Sequence, residues 1–136
     1  LLGCRKEGCT QFGAENYDPD ATVNDGSCIL VRDKFLGSFE VNSNCFTDNY
    51  LRTIETTTDQ HVVTISNMAD TLGTVEAHVW GTDIVIDRQS VRTGVTVEGA
   101  GVYVAENDAI SLTFRIRDTR TGIEVIHDCA EWCTKL

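Results

Sequence analysis

A chain of 136 residues, 41% hydrophobic and 24% charged, has enough apolar material for one packed core and lies outside the composition of disordered, collagen-like or coiled-coil chains. With 21 acidic against 11 basic residues, the formal net charge of -10 would repel phosphate backbones, so nucleic acid is not an expected partner. No run approaches the ~18 to 20 apolar residues of a membrane-spanning helix.

The six cysteines (Cys4, Cys9, Cys28, Cys45, Cys129, Cys133) include no CxxC pair, and His61, His78 and His127 are scattered, so a zinc site is not indicated. Dense cysteine usage without metal spacing points to an oxidising, extracytoplasmic compartment and disulfides. Fifteen connectivities are open if all six are bonded. The chain starts with Leu1-Leu2-Gly3-Cys4, which resembles the lipobox of bacterial lipoproteins. That resemblance implies a lipid on Cys4 and attachment to the outer membrane, with residues 1–7 as lipobox remnant and tether. Lipidation would leave five cysteines and one of them unpaired. The alternative is that Cys4 is a disulfide partner, for example of Cys133.

Residues 8–33 have the grammar of a loop-rich module. Asn16, Asp18, Pro19, Asp20, Asn24, Asp25 and Gly26 are turn formers, apolar periodicity is nearly absent, and a Cys9–Cys28 bridge would close the segment. Gly8-Cys9-Thr10, Ala14, Asn16-Tyr17-Asp18-Pro19-Asp20-Ala21-Thr22 and Asp25-Gly26-Ser27-Cys28 resemble a short cysteine module that recurs in secreted and cell-surface proteins of Bacteroidetes. The resemblance implies source and compartment rather than an activity. Asp18, Asp20, Asn24 and Asp25 supply the hard oxygen donors that calcium prefers, yet no register places Gly where an EF-hand loop requires it. The competing reading makes them turn-forming groups exposed to water.

From residue 34 to 136 the pattern changes to period two. Phe39-Val41, Val63-Ile65, Val75-Ala77-Val79, Ile84-Ile86, Val95-Val97 and Ile110-Leu112-Phe114-Ile116 alternate with polar partners, as half-buried strands do. Turn signals stand at Thr57-Thr58-Asp59, Met68-Ala69-Asp70, Gly81-Thr82-Asp83, Gly99-Ala100-Gly101, Glu106-Asn107-Asp108 and Thr119-Arg120-Thr121-Gly122. Gly94, Gly99 and Gly101 open no helix and read as bends or bulges. Only Ala130 to Leu136 suggests a helical turn. The expected fold is all-β: an antiparallel meander of about eight strands, closed or nearly closed into a small barrel because closure removes exposed edges, with a β-sandwich as the alternative.

Phe35-Leu36-Gly37-Ser38-Phe39-Glu40-Val41, with Cys45, Tyr50, Ile65-Ser66-Asn67, Gly99-Ala100-Gly101 and Asp128-Cys129, resembles a lipocalin-like domain of bacterial surface lipoproteins. The resemblance implies a Cys45–Cys129 clasp between first and last strands. Cys133 departs from the pattern.

Signatures of catalysis are sparse: there is no G-x-S-x-G elbow, phosphate loop or H-E-x-x-H. His78 falls with Glu76 and Trp80 on the face opposite Val75, Ala77 and Val79, as a surface or barrel-lining residue. Arg115, Arg117 and Arg120 are expected on a solvated face offset by acids. Trp80 and Trp132 would mark a sugar or partner contact if exposed, and core if buried. Asp70-Thr71-Leu72 resembles the O-glycosylation acceptor of Bacteroidetes secreted proteins, with Thr71 the acceptor. The expected function is non-enzymatic, binding or structural, in a surface lipoprotein. Its alternatives are a subunit of an extracellular fibre, contacting copies of itself or other envelope proteins, and a carrier of a small apolar ligand.

Overall fold

The computed structural model describes residues 5–69 and 72–136, among which there is no α-helix. Two short strands, β1 (Glu7–Gly8) and β2 (Val23–Asn24), pair in parallel and tie the N-terminal module together. Eight longer strands follow: β3 (Gly37–Ser43), β4 (Tyr50–Thr56), β5 (Val62–Met68), β6 (Gly73–Trp80), β7 (Asp83–Arg92), β8 (Val95–Val104), β9 (Ala109–Asp118) and β10 (Val125–Lys135). Each pairs antiparallel with the next, and β10 returns to β3, so the sheet is a closed barrel of eight strands. The meander barrel expected from the alternation is the observed fold, and the sandwich alternative is not.

The period-two residues point inward. Phe39, Val41, Val63, Ile65, Val75, Val79, Ile84, Ile86, Val97, Ile110, Leu112 and Phe114 are all buried in one cluster. Each such side chain contributes about 1.5–3 kcal/mol through water exclusion, which makes this cluster the main source of stability. The interior is therefore filled.

Two expectations are corrected. Ala130 to Leu136 form no helical turn but lie at the end of β10, where Glu131, Trp132, Cys133, Thr134 and Lys135 pair with β3. Gly99-Ala100-Gly101 is not a turn either; it lies within β8, and the chain reverses at Gly94, whose φ of 82° suits glycine. At Gly99 a Cβ would sit 2.4 Å from the Thr113 carbonyl oxygen and 2.6 Å from Phe114 Cβ. Glycine there lets β8 press against β9 with Phe114 packed over it.

One end of the barrel is plugged. A 3-10 helix, Val31–Phe35, starts where the Asp33 carboxylate accepts the Leu30 N–H at 3.0 Å. It drives Phe35 fully into the core, edge-to-face with Tyr103, while Lys34 Nζ donates to the Gly81 carbonyl at 2.7 Å. Val31 and Phe35 thus join the barrel core, and Glu7 pairs with Val23 of the module. The module docks on this plugged end. Gln11 Nε2 donates to Gln60 Oε1 at 3.2 Å, Gln60 Nε2 donates to the Phe12 carbonyl at 3.1 Å, and Lys34 pairs with Glu15. The opposite end, ringed by the β3–β4, β7–β8 and β9–β10 connections, is the mouth.

Candidate functional site

At the mouth the inward side chains stop short of the rim and leave a pocket of about 410 Å³. Phe46, Ala69, Leu72, Val95, Ile116 and the Cys45–Cys129 disulfide form its apolar wall; Asp118, Arg120 and His127 are its polar side. Arg120 clamps Asp118 with both a 3.0 Å and a 2.7 Å hydrogen bond, and this holds the Asp118 carboxyl down at about 2. A depression of about 470 Å³ on the outer wall, between Glu98 and the Arg115–Asp128 pair, is a gap between outward side chains.

One layer below the mouth lies a polar constellation. Arg52 on β4 and Glu131 on β10 are both inward and their side chains fully buried, 2.8 Å apart. The Tyr50 hydroxyl donates to Glu131 and accepts from Arg52 Nη2 at 3.0 Å. The other guanidinium donors reach the Ser66 and Asn67 carbonyls, each at 3.2 Å, and Cys133 Sγ at 3.3 Å. The carbonyls are available because β5 bulges after Ile65, with Asn67 at φ 51°. The β4–β5 ladder ends at Ile54 opposite Ile65, and past it the Ser66 and Asn67 carbonyls accept from Arg52. Phe46 covers Tyr50 edge-to-face at 5.8 Å, placing an aromatic pair between this layer and solvent.

Burial holds the Tyr50 hydroxyl well above its ordinary value and pushes the Cys133 thiol up from 9.0 to about 11. Cys133 is a buried free thiol, and Cys4, its alternative partner, lies outside the described residues. Because the native thiol holds its proton more tightly, its contribution to stability is complete below pH 9 and is lost as pH rises toward 11. In a Cys4→Ser background, native Cys133 should react with Ellman's reagent at pH 8 orders of magnitude more slowly than the denatured chain. Labelling at equal rates would show that the layer is open to solvent.

The residues singled out from sequence are dispersed. Cys4 and Thr71 lie outside the described residues. Cys9–Cys28 closes the module and Cys45–Cys129 joins β10 to the loop after β3, so Cys45 stands beyond the first strand rather than in it. In the acidic loop, Asp18 accepts the Asp20 N–H at 2.9 Å, Asn24 the Gly26 N–H at 3.1 Å and Asp25 the Ser27 N–H at 3.0 Å. These are turn-forming bonds. With the 3.1 Å Lys6 ion pair on Asp18, they hold the Asp18 and Asp25 carboxyls below the usual range, the Asp20 and Ser27 contacts contributing most respectively. Among the described residues no three His, Cys, Asp or Glu side chains converge as metal ligands. His78 is on the outer wall beside Asp87 at 3.2 Å. Arg115 and Arg117 are offset by Asp128, Glu98 and Glu124, as expected of a solvated face.

Tyr50, Arg52, Glu131 and Cys133 were not recognisable as a group from spacing. Their only trace in the sequence is a charged residue at an inward position of β4 and another in β10. No protein-family model, curated protein or solved structure matches the chain.

Proposed function

We propose that this protein is a non-enzymatic, extracytoplasmic surface lipoprotein with a binding or structural role, held to the outer membrane through Cys4. The observation that supports this reading best is the pair of disulfides, one closing the module and one clasping the barrel. Such bonds persist where the environment is oxidising, and a protein tethered outside the cell gains from both. The arrangement of the two ends is compatible with a tether: the module sits on the plugged end, so an anchor before residue 5 would leave the mouth directed away from the membrane.

The carrier reading requires room for an apolar ligand; among the described residues the core is packed, and the mouth pocket offers such room. The reading therefore reduces to a small amphiphile seated above the Tyr50 layer, not a molecule swallowed by the barrel. A calcium ion at Asp18, Asp20, Asn24 and Asp25 would compete with the turn hydrogen bonds and the Lys6 ion pair, so the proposal does not use one. A glycan on Thr71 would stand between Ala69 and Leu72 of the mouth wall in sequence, and it would modify access rather than create it.

The test is metabolic labelling in the native host with an alkyne fatty acid. The full-length protein should carry the label and a Cys4→Ser variant should not. Equal labelling of the two, or none in either, would remove the anchor.

A further inference from the structure

Phe12, in the module, and Trp80, at the end of β6, are 82% and 73% exposed, and no other Phe, Tyr or Trp among the described residues is more than half exposed. Burial of either ring would be favourable, yet both are left in water. The Phe12 backbone and the Trp80 ring both meet the Gln60–His61 turn, where module and barrel join. Tyr17 meets Phe12 edge-to-face at 5.5 Å, Gln60 donates to the Phe12 carbonyl, and His61 lies against Trp80 at 5.1 Å with its ring tilted 34°. Gly13 closes the gap: a Cβ there would stand 2.9 Å from Gln60 Nε2 and 3.3 Å from His61 Cε1. The φ of 94° there favours glycine, whose lack of a side chain also leaves the Gln60 and His61 tips in place.

We propose that this joint is a carbohydrate-binding platform, in which Trp80 and Phe12 stack on the apolar faces of neutral pyranose units and Gln11, Gln60 and His61 hydrogen-bond their hydroxyls. The chemistry favours a sugar over other occupants. A pyranose presents an apolar C–H face rimmed by hydroxyls, and the joint presents flat rings interleaved with carboxamides. Each carboxamide offers two N–H donors and a two-lone-pair oxygen; Gln11 spends one of these on Gln60, and Gln60 spends one donor and one acceptor within the joint. Anionic lipid is disfavoured by the acids around it, Glu15, Asp59 and Asp83, in a chain of net charge -10. The module thus contributes half of the binding surface. This deepens the binding role proposed above and is independent of the lipid on Cys4.

Trp80 and Trp132 are the only tryptophans, so a full-chain Trp132→Phe variant leaves Trp80 as the sole indole reporter. Its emission should change saturably when titrated with at least one of cellohexaose, laminarihexaose, xylohexaose, mannohexaose, maltohexaose or chitohexaose. By calorimetry on the otherwise wild-type protein, Trp80→Ala should weaken that binding at least about tenfold and Phe12→Ala about threefold, while Leu51→Ala, on an exposed site of β4, should leave it unchanged. Both truncated rings are exposed, so the variants should fold with the wild-type circular dichroism. No binding by any of the six sugars at about 10 mM, or undiminished binding by Trp80→Ala, would overturn the proposal. So would a Trp80 signal that follows protein concentration without sugar, which would identify a second copy as the occupant. Failure of the sugar arm with fatty-acid labelling intact removes the platform and leaves the lipoprotein reading standing.

Discussion

Arg52→Ala is expected to destabilise the barrel by about 3–5 kcal/mol, enough to leave a marginal domain largely unfolded, although Arg52 makes no contact with solvent and lies on no surface that could bind a partner. The cost comes from what remains. Glu131 would keep a carboxylate in the core with only the Tyr50 hydroxyl as donor, and the Ser66 and Asn67 carbonyls turned inward by the bulge would lose theirs. Tyr50→Phe removes one donor from Glu131 and should cost about 1–3 kcal/mol. The paired replacement Arg52→Met with Glu131→Leu removes both charges at similar volume and should recover much of the Arg52→Ala loss. Urea unfolding of the three variants, with the disulfides intact, measures these differences. If Arg52→Ala cost less than about 1 kcal/mol, the pair would be hydrated and the barrel open at this layer.

The same two residues explain which strands were legible in the sequence. Six strands show their inward residues as unbroken apolar alternation, and those six were read. β4 and β10 were not read from alternation, because Arg52 and Glu131 occupy inward positions where a valine or isoleucine would complete the period. In β10 the segment Ala130 to Leu136 read instead as a helical turn. A period-two search treats a charged residue as facing water, and it cannot know that a partner 79 residues away in sequence neutralises the charge. The closure of the barrel was legible only as a consequence of strand count and edge avoidance. Gly99 and Gly101 misled in the opposite direction: glycine signals reversal in most sequences, and here it signals close approach of two strands, which becomes visible only once Phe114 and Leu112 are placed across from them. The exposed joint was half legible, since Trp80 falls on the polar face of its strand, but nothing in the sequence brings Phe12 to it.

Removing the clasp with Cys45→Ser and Cys129→Ser should lower stability by about 4 kcal/mol and the melting temperature by about 10–20 °C, more than removing the Cys9–Cys28 bridge. The bridge spans 84 residues, whereas Cys9–Cys28 spans 19. Loop-closure entropy grows with the logarithm of length, so the two differ by only about 1 kcal/mol on that ground. The larger distinction is positional. The β10–β3 ladder runs from Glu131 opposite Ser43 to Lys135 opposite Phe39 and stops before the mouth. Beyond it the seam is held by Asn44, which exchanges hydrogen bonds with Ala130 at 2.8 and 3.1 Å, and by the disulfide. Without the bridge the mouth end of the seam can part, exposing the Phe46–Tyr50 cover and then the buried Arg52–Glu131 pair, whose wetting removes a second element of stability. Opening of the module by Cys9→Ser/Cys28→Ser lacks that route into the core. Hydrogen exchange should therefore show lost protection in β3 and the mouth half of β10 for the clasp variant, and confined to residues 7–30 for the module variant. Equal, global loss of protection in both would mean that the barrel and module unfold as one unit and that the seam has no separate role.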